Sequence, residues 1–196
     1  MARTESTMML ELGSAAPPFE LSDVVSGETV SLDSFTAKKA LLVMFICNHC
    51  PFVKHVHGEL ARIGRDYAPK SVGIVAINSN SVETHPDDAP EKMQPIAAEW
   101  GLTFPYCHDA SQQTAKAYRA ACTPDFFLFD GERRLVYRGQ LDDSRPESGI
   151  PVTGSDLRTA IDAVLEGRPV SQQQKPSLGC NIKWKPQNEP AYATTA

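Results

Sequence analysis

Two runs of consecutive apolar residues frame a helical pattern in the first half of the chain. The runs are Ala40–Ile46 and Val72–Ile77, and their length and lack of alternation predict strands buried on both faces. Strand, helix and strand in this order predict a βαβ unit with parallel strands and a right-handed crossover. The apolar residues between the two runs recur at spacings of three and four, typical of one amphipathic helix: Val53, Val56, Leu60, Ile63 and Tyr67.

The second half of the chain predicts a hairpin and further helices. Apolar segments at Asp125–Phe129 and Leu135–Arg138 flank the turn sequence Asp130-Gly131-Glu132-Arg133, which favours an antiparallel hairpin. Helical patterns cover Glu91–Trp100 and Ser155–Glu166. We therefore predict an α/β fold whose central mixed sheet contains the two buried runs and the hairpin, with helices on both faces. Parallel pairing is expected among the first three of these strands.

The length of 196 residues suits a single domain. We predict an N-terminal arm at residues 1–13, an α/β domain at residues 14–168 and a C-terminal tail at residues 169–196. The tail is rich in Gln, Pro and Lys, so we expect no regular structure in it. It nevertheless has an apolar side, since Leu178, Ile182 and Trp184 are separated by polar residues, and we expect that side to pack on the domain.

Composition narrows the classes of function. The net charge is −5 and no basic stripe is present, which argues against a nucleic-acid partner. No apolar run is long enough to cross a membrane, and residues 1–13 lack the features of a secretory signal. We therefore expect a cytoplasmic protein without a membrane partner. The count of five cysteines is odd and their spacing uneven, unlike a framework of structural disulfides.

Cys47 and Cys50 are separated by two residues at the junction of the first buried run and the predicted helix. This context is typical of a redox-active dithiol. The start of a helix carries partial positive charge, which favours thiolate over thiol. We expect Cys47 to be the exposed, low-pKa attacking sulfur and Cys50 to resolve the mixed disulfide. His49, between them, is expected to stabilise the Cys47 thiolate by a hydrogen bond or by charge.

Two other interpretations of the motif stay open at this point. Cys47 and Cys50 could be inert core residues, although spacing and context both favour redox chemistry. They could instead bind zinc or Cu(I) together with His49, His55 or His57. A structural zinc site usually needs a second pair of ligands, and no such pair has clear spacing. We therefore predict no metal and no cofactor.

With the dithiol in place, the sequence resembles the thioredoxin superfamily, and within it the peroxiredoxin-like branch of AhpC/TSA-type redoxins. The resemblance covers about residues 14–167 and depends on Cys47–Cys50 and on Thr123-Pro124 before the predicted strand Asp125–Phe129. It implies a thioredoxin-like three-layer fold. It also implies that Pro124 is cis, that Thr123 and Pro124 face the dithiol, and that the backbone beside them binds substrate.

The segments Ala121–Phe127 and Ser177–Trp184 look like a peroxiredoxin-like subgroup. If Cys50 is aligned with the peroxidatic cysteine of true peroxiredoxins, Cys47 stands where they have a threonine that helps to bind peroxide. Val43 then replaces their upstream proline. These departures favour dithiol exchange, with thiol peroxidase activity as the alternative. A metal-delivery protein and a non-catalytic interaction domain are weaker alternatives.

The other three cysteines lie outside the motif. Cys107 is expected to be a core residue, and Cys122 lies next to the predicted cis-proline. Cys180 stands in a polar tail, where a third redox cysteine is an open alternative to a core role. The sequence thus predicts a thiol–disulfide oxidoreductase whose partners are protein or small-molecule thiols and disulfides. It leaves the oligomeric state open.

Overall fold

The computed structural model describes residues 3–193. Its strands are β1 (Arg3–Glu5), β2 (Glu20–Ser22), β3 (Thr29–Ser31), β4 (Ala40–Phe45), β5 (Val72–Asn78), β6 (Tyr106–His108), β7 (Cys122–Thr123), β8 (Asp125–Phe129), β9 (Leu135–Gly139) and β10 (Leu178–Asn181). Its α-helices are α1 (Pro51–Tyr67), α2 (Pro90–Trp100), α3 (Gln113–Ala117) and α4 (Ser155–Leu165).

The central sheet has the strand order β6-β5-β4-β8-β9. β4 and β5 are parallel and joined through α1, as the βαβ prediction requires, and β6 extends the parallel part. β8 instead runs antiparallel to β4, so parallel pairing does not reach the third predicted strand. Asp125 pairs with Phe45 in this register. β8 therefore begins where β4 ends, and the residues just before β8 lie at the same edge as the dithiol.

The two faces of the sheet bury separate apolar clusters, because successive side chains of a strand point to opposite faces. Leu42 and Met44 pack in one cluster with residues of α1, α2 and α4. Leu41, Val43 and Phe45 pack in the other with Tyr118 and the segment around β3. All six residues of β4 are buried. The predicted three layers, with the sheet covered on both faces, are present.

The arm and the tail form a second sheet, with the order β1-β10-β7. β10 pairs antiparallel with both neighbours, and Cys180 lies opposite Arg3 on one side and Thr123 on the other. The expectation of a tail without regular structure is therefore wrong at Leu178–Asn181. Ile182 is buried, and Trp184 is partly buried against the core.

Within residues 3–193, no helix is both long enough and apolar enough to cross a bilayer.

The core face of α1 positions the motif that precedes it, and Leu60 lies on that face, fully buried. Leu60→Ala should lower the free energy of unfolding by about 2–5 kcal/mol, because it removes buried methyl groups and leaves a cavity. Urea denaturation measures the change. Lys54→Ala, on the exposed side of the same helix, should stay within about 0.5 kcal/mol of wild type. Equal losses in the two variants would contradict the assigned helix face.

Candidate functional site

The motif lies in the loop between β4 and α1. The helix begins at Pro51, which occupies its first turn, and Cys50 is the N-cap residue with extended backbone angles. Proline suits this position because the first helical N–H groups have no intrahelical acceptor. Cys47 lies three residues upstream, outside the helix. The expectation that Cys47 stands at the helix N-terminus is therefore wrong, since Cys50 takes that position.

Both sulfurs contact the same residue. Cys47 Sγ is 3.3 Å from the hydroxyl oxygen of Thr123, and Cys50 Sγ is 3.2 Å from the Thr123 carbonyl oxygen. The peptide bond between Thr123 and Pro124 is cis, as the resemblance implies. The predicted juxtaposition of the dithiol with this loop is present. Cys47 and Cys50 are exposed by only 1% and 0%, so the expected difference in exposure is absent.

A third thiol reaches the site from the tail. Cys180 is buried, lies opposite Thr123 in the β7–β10 pair, and forms a hydrogen bond with Cys50. Cys122, in contrast, directs its sulfur toward the Pro124 carbonyl oxygen, at 3.7 Å. Cys107 lies on β6 and packs in the cluster on the opposite face of the sheet. The sequence leaves the roles of Cys122 and Cys180 open, and of these two only Cys180 contacts the dithiol.

The hydrogen-bond donors around the pair favour a negative charge on Cys50. The pKa of the Cys50 thiol is lowered by hydrogen bonds from Cys180 and Cys47 and by the Val53 amide, against the effect of burial. The Thr123 carbonyl favours the protonated thiol, but the donors outnumber this single acceptor.

Burial raises the pKa of the Cys47 thiol, and the hydrogen bond with Cys50 and the charge of Asp88 raise it further. The stabilising donors gather on the other sulfur, which favours the negative charge on Cys50 and not, as the sequence predicts, on Cys47.

His49 pairs with a carboxylate that sequence analysis did not single out. His49 Nδ1 lies 2.7 Å from Asp88 Oδ2, and the imidazole stacks on His85 with ring centres 5.1 Å apart. The hydrogen bond with Asp88 raises the pKa of His49, although partial burial opposes this. His49 Nδ1 thus pairs with Asp88, while its stabilisation of the Cys47 thiolate by charge stays a prediction.

Asp88 is fully buried and anchors the loop that carries the motif. It accepts hydrogen bonds from the Asn48 amide at 2.8 Å and from the Asn80 side chain at 2.7 Å. Burial alone would raise the pKa of Asp88, but the contacts with His49, Asn80 and Asn48 outweigh it and lower the pKa. Tyr106 donates a hydrogen bond to the Asn48 side chain at 3.0 Å. These contacts fix the two residues between the cysteines.

Sequence analysis also missed a buried acid beside the cis-proline. Asp125 directly follows Pro124, and burial raises its pKa to about 8. Its Oδ1 accepts a hydrogen bond from the Phe126 amide at 3.1 Å. In the sequence, the signal that Asp125 belongs to the site is its position directly after Pro124.

The structure also changes the set of residues that could hold a metal. Among residues 3–193, ligand atoms of Cys47, His49 and Asp88 lie within 4.8 Å of one another. His57 stacks on Trp100, with ring centres 5.1 Å apart. A zinc ion usually takes four ligands, so this group resembles a partial site. Any metal bound there would occupy the Cys47 sulfur and compete with its redox chemistry.

The ion pair couples stability to pH in both directions. Because the pKa of His49 is raised in the folded state, the contribution of His49 to folding stability is complete below the unfolded pKa of about 6.5. This contribution is lost as pH rises through the folded pKa of His49. Because the pKa of Asp88 is lowered in the folded state, the contribution of Asp88 to folding stability is complete above about pH 3.8. This contribution is lost as pH falls through the folded pKa of Asp88. The pair therefore stabilises the fold most between these limits.

Asp88→Asn should lower the pKa of His49, because the partner charge that favours imidazolium is removed. An NMR titration of the imidazole protons measures this shift. Asp87→Asn is the matched control, since the Asp87 side chain is exposed and pairs with Lys92 at 2.7 Å. The account fails if the two variants shift the His49 pKa equally.

Comparison with known proteins places this geometry in context. The profile of the Redoxin family matches residues 11–158. The thiol-disulfide oxidoreductase ResA of Geobacillus kaustophilus (strain HTA426) is 29% identical over 142 residues, which cover 70% of this chain and 75% of that protein.

Solved structures agree in fold. A crystal structure of an uncharacterized conserved protein from Geobacillus kaustophilus is 58% identical, with a TM-score of 0.93, and covers 95% of this chain and 98% of that one. The thioredoxin domain of a thiol-disulfide oxidoreductase from Bacteroides vulgatus is 21% identical, with a TM-score of 0.62, over 80% of this chain and 99% of that one. The predicted thioredoxin-like α/β fold is confirmed.

Proposed function

This chain belongs to the redoxin family, and on that premise we propose that it is a thiol–disulfide oxidoreductase that uses Cys47 and Cys50. The observation that carries the proposal is the shared environment of the two sulfurs. Both contact Thr123, and their surroundings shift their pKa values in opposite directions. A pair of this kind holds one proton and one thiolate, which disulfide exchange requires.

The exchange balances within the pair and its substrate. The Cys50 thiolate attacks one sulfur of a substrate disulfide, forming a mixed disulfide and releasing the other substrate sulfur as thiolate. Cys47 then attacks the Cys50 sulfur, and its proton passes to the departing substrate. The products are a Cys47–Cys50 disulfide and a reduced substrate with one thiol and one thiolate, and the thiolate takes up a proton from water. The roles of the two cysteines are thus the reverse of those expected from the sequence, because the negative charge is favoured on Cys50.

We propose protein or small-molecule disulfides as the substrates. Support comes from ResA, whose name describes exchange between thiols and disulfides, and from the position of Thr123 and Pro124 against both sulfurs. A cavity of about 540 Å³ is lined in part by His85 and Lys183. His85 stacks on His49, so one wall of this cavity contacts the histidine of the motif.

The cytoplasmic location expected from the sequence belongs to the same proposal, since a reducing compartment would keep the pair as a dithiol. Fractionation of cells with an antibody to the chain tests it. Recovery outside the cytoplasm would contradict it.

Reduction of insulin disulfides by the protein and dithiothreitol tests the exchange activity. Cys50→Ser should lower the rate to the uncatalysed level, because the attacking sulfur is lost, and Cys47→Ser should lower it by removing the resolving thiol. Cys107→Ser, which replaces a buried cysteine on the opposite face, should keep the wild-type rate. Full activity in Cys50→Ser would exclude the proposed mechanism.

Ultraviolet absorbance at about 240 nm, where thiolates absorb, locates the charge in the reduced protein. The thiolate signal at neutral pH should persist in Cys47→Ser and disappear in Cys50→Ser, because the donors converge on Cys50. The opposite result would restore Cys47 as the low-pKa sulfur.

Thiol peroxidase activity is the second candidate, and one observation favours it. Cys50 stands at the N-cap of α1, the position that the alignment with true peroxiredoxins gives to their peroxidatic cysteine. Hydroperoxide would oxidise its thiolate to a sulfenic acid, which Cys47 would convert to a disulfide with loss of water. Rapid turnover with hydrogen peroxide together with no insulin reduction would make this the better assignment.

A further inference from the structure

We propose that Cys180 is a third redox thiol of this site, able to form a disulfide with Cys50 in place of Cys47. Its part in turnover rests on the proposed function. The bond itself can be tested without a substrate protein, so failure of one claim is distinguishable from failure of the other.

Strand pairing places Cys180 beside Cys50. Cys180 lies opposite Thr123 in the antiparallel β7–β10 pair, and the carbonyl oxygen of the same Thr123 is 3.2 Å from Cys50 Sγ. The thiol and the backbone amide of Cys180 both form hydrogen bonds with Cys50. Cys50 is therefore the shared neighbour of two thiols, one from its own loop and one from the tail.

The preceding residue explains how β10 can approach so closely. A Cβ atom on Gly179 would lie 2.0 Å from the Thr123 carbonyl oxygen, a distance that no side chain could occupy. Glycine alone permits β7 and β10 to pack at this separation. On the other edge of β10, Thr4 lies opposite Gly179, and the Ser6 amide donates to the Ser177 carbonyl at 2.9 Å. The tail therefore holds Cys180 in a defined position.

Burial by itself would favour an inert role, since a buried cysteine commonly acts as a small apolar residue. Cys180 differs from such a residue because it donates a hydrogen bond to a redox-active sulfur. Cys107 and Cys122, equally buried, have other surroundings, with Cys107 in the opposite cluster and the Cys122 sulfur near the Pro124 carbonyl. Among these three, Cys180 is the one placed to react with Cys50.

The proposed step is an internal thiol–disulfide exchange that needs no external oxidant. Starting from the Cys47–Cys50 disulfide, the Cys180 thiolate attacks the Cys50 sulfur. The bond between Cys50 and Cys180 forms as the bond between Cys47 and Cys50 breaks, and Cys47 leaves as a thiolate that takes up the proton lost by Cys180. The number of disulfides and the oxidation state of the protein do not change.

Charge limits when this step can occur. While Cys50 is a thiolate, its hydrogen bond with Cys180 raises the pKa of the Cys180 thiol and keeps it protonated. Once Cys50 is part of a disulfide it carries no charge, and that restraint is removed. In the reduced state Cys180 therefore stays a protonated thiol that donates a hydrogen bond to Cys50. Only after Cys50 has been oxidised to a disulfide can Cys180 compete with Cys47 for a bond to the Cys50 sulfur.

The test uses Cys47→Ser, reduced and then treated with glutathione disulfide. Remaining thiols are alkylated with N-ethylmaleimide after an acid quench, and tryptic peptides are identified by mass spectrometry. Cys50 and Cys180 fall in peptides 40–54 and 159–183. We expect these peptides to be cross-linked. Glutathione bound to Cys50 should be at least about tenfold lower than in the Cys47→Ser/Cys180→Ser double variant, because intramolecular attack outcompetes retention of the adduct.

Matched variants make the result decisive. Cys47→Ser/Cys107→Ser should keep the cross-link, and thermal melting should show that each variant is folded. Cys47→Ala provides a second replacement if serine disturbs the fold. The proposal is overturned if Cys50 retains glutathione equally with and without Cys180, or if Cys50 becomes linked to Cys122 instead.

Discussion

The candidate site depends on the register between β4 and β8. Because Asp125 pairs with Phe45, the strand that follows Pro124 must start at the edge where the dithiol loop leaves the sheet. Thr123 is thereby held against Cys47 through its hydroxyl and against Cys50 through its carbonyl. A shift of one residue would move every β8 side chain to the opposite face of the sheet, which would disrupt the packing of both apolar clusters and carry Thr123 away from the sulfurs. Packing of the core and assembly of the site are consequences of the same pairing.

The polar groups around the motif divide into two sets with different tasks. Asp88 binds the backbone amide of Asn48 and the imidazole of His49, so it fixes the shape of the loop. Its negative charge lies on the side of Cys47 and disfavours a second negative charge there. Hydrogen-bond donors from α1 and β10 converge on Cys50. Loop geometry and charge distribution therefore act together to give two chemically identical thiols different pKa values.

Much of this arrangement could be predicted from the sequence, because long apolar runs and helical spacing report burial directly. The βαβ unit and the β8–β9 hairpin carry strong patterns, and the dithiol and Thr123-Pro124 are short motifs with a clear context. The start of α1 was harder, since a shift of three residues moves the helix N-terminus from Cys47 to Cys50 while the apolar spacing of the helix stays the same.

Long-range contacts were the part that the sequence could not supply. β10 is four residues long and contains glycine, so it has no strand pattern of its own, and its pairing with β7 and β1 is what brings Cys180 to the site. Asp88 comes from a polar loop, where one buried carboxylate resembles its exposed neighbours. The antiparallel direction of β8 likewise depends on how the chain returns to the sheet rather than on its own residues.

The most direct measurement for the whole account is a redox titration of the protein in glutathione buffers, with alkylation and mass spectrometry of the intact chain. The account predicts a two-electron transition in which two thiols become protected together, with the ratio of reduced to oxidised protein changing tenfold for about every 30 mV of buffer potential. This transition should be absent in Cys50→Ser. Retention of all five thiols in an alkylatable form across the full range of buffers would contradict a redox role for the pair.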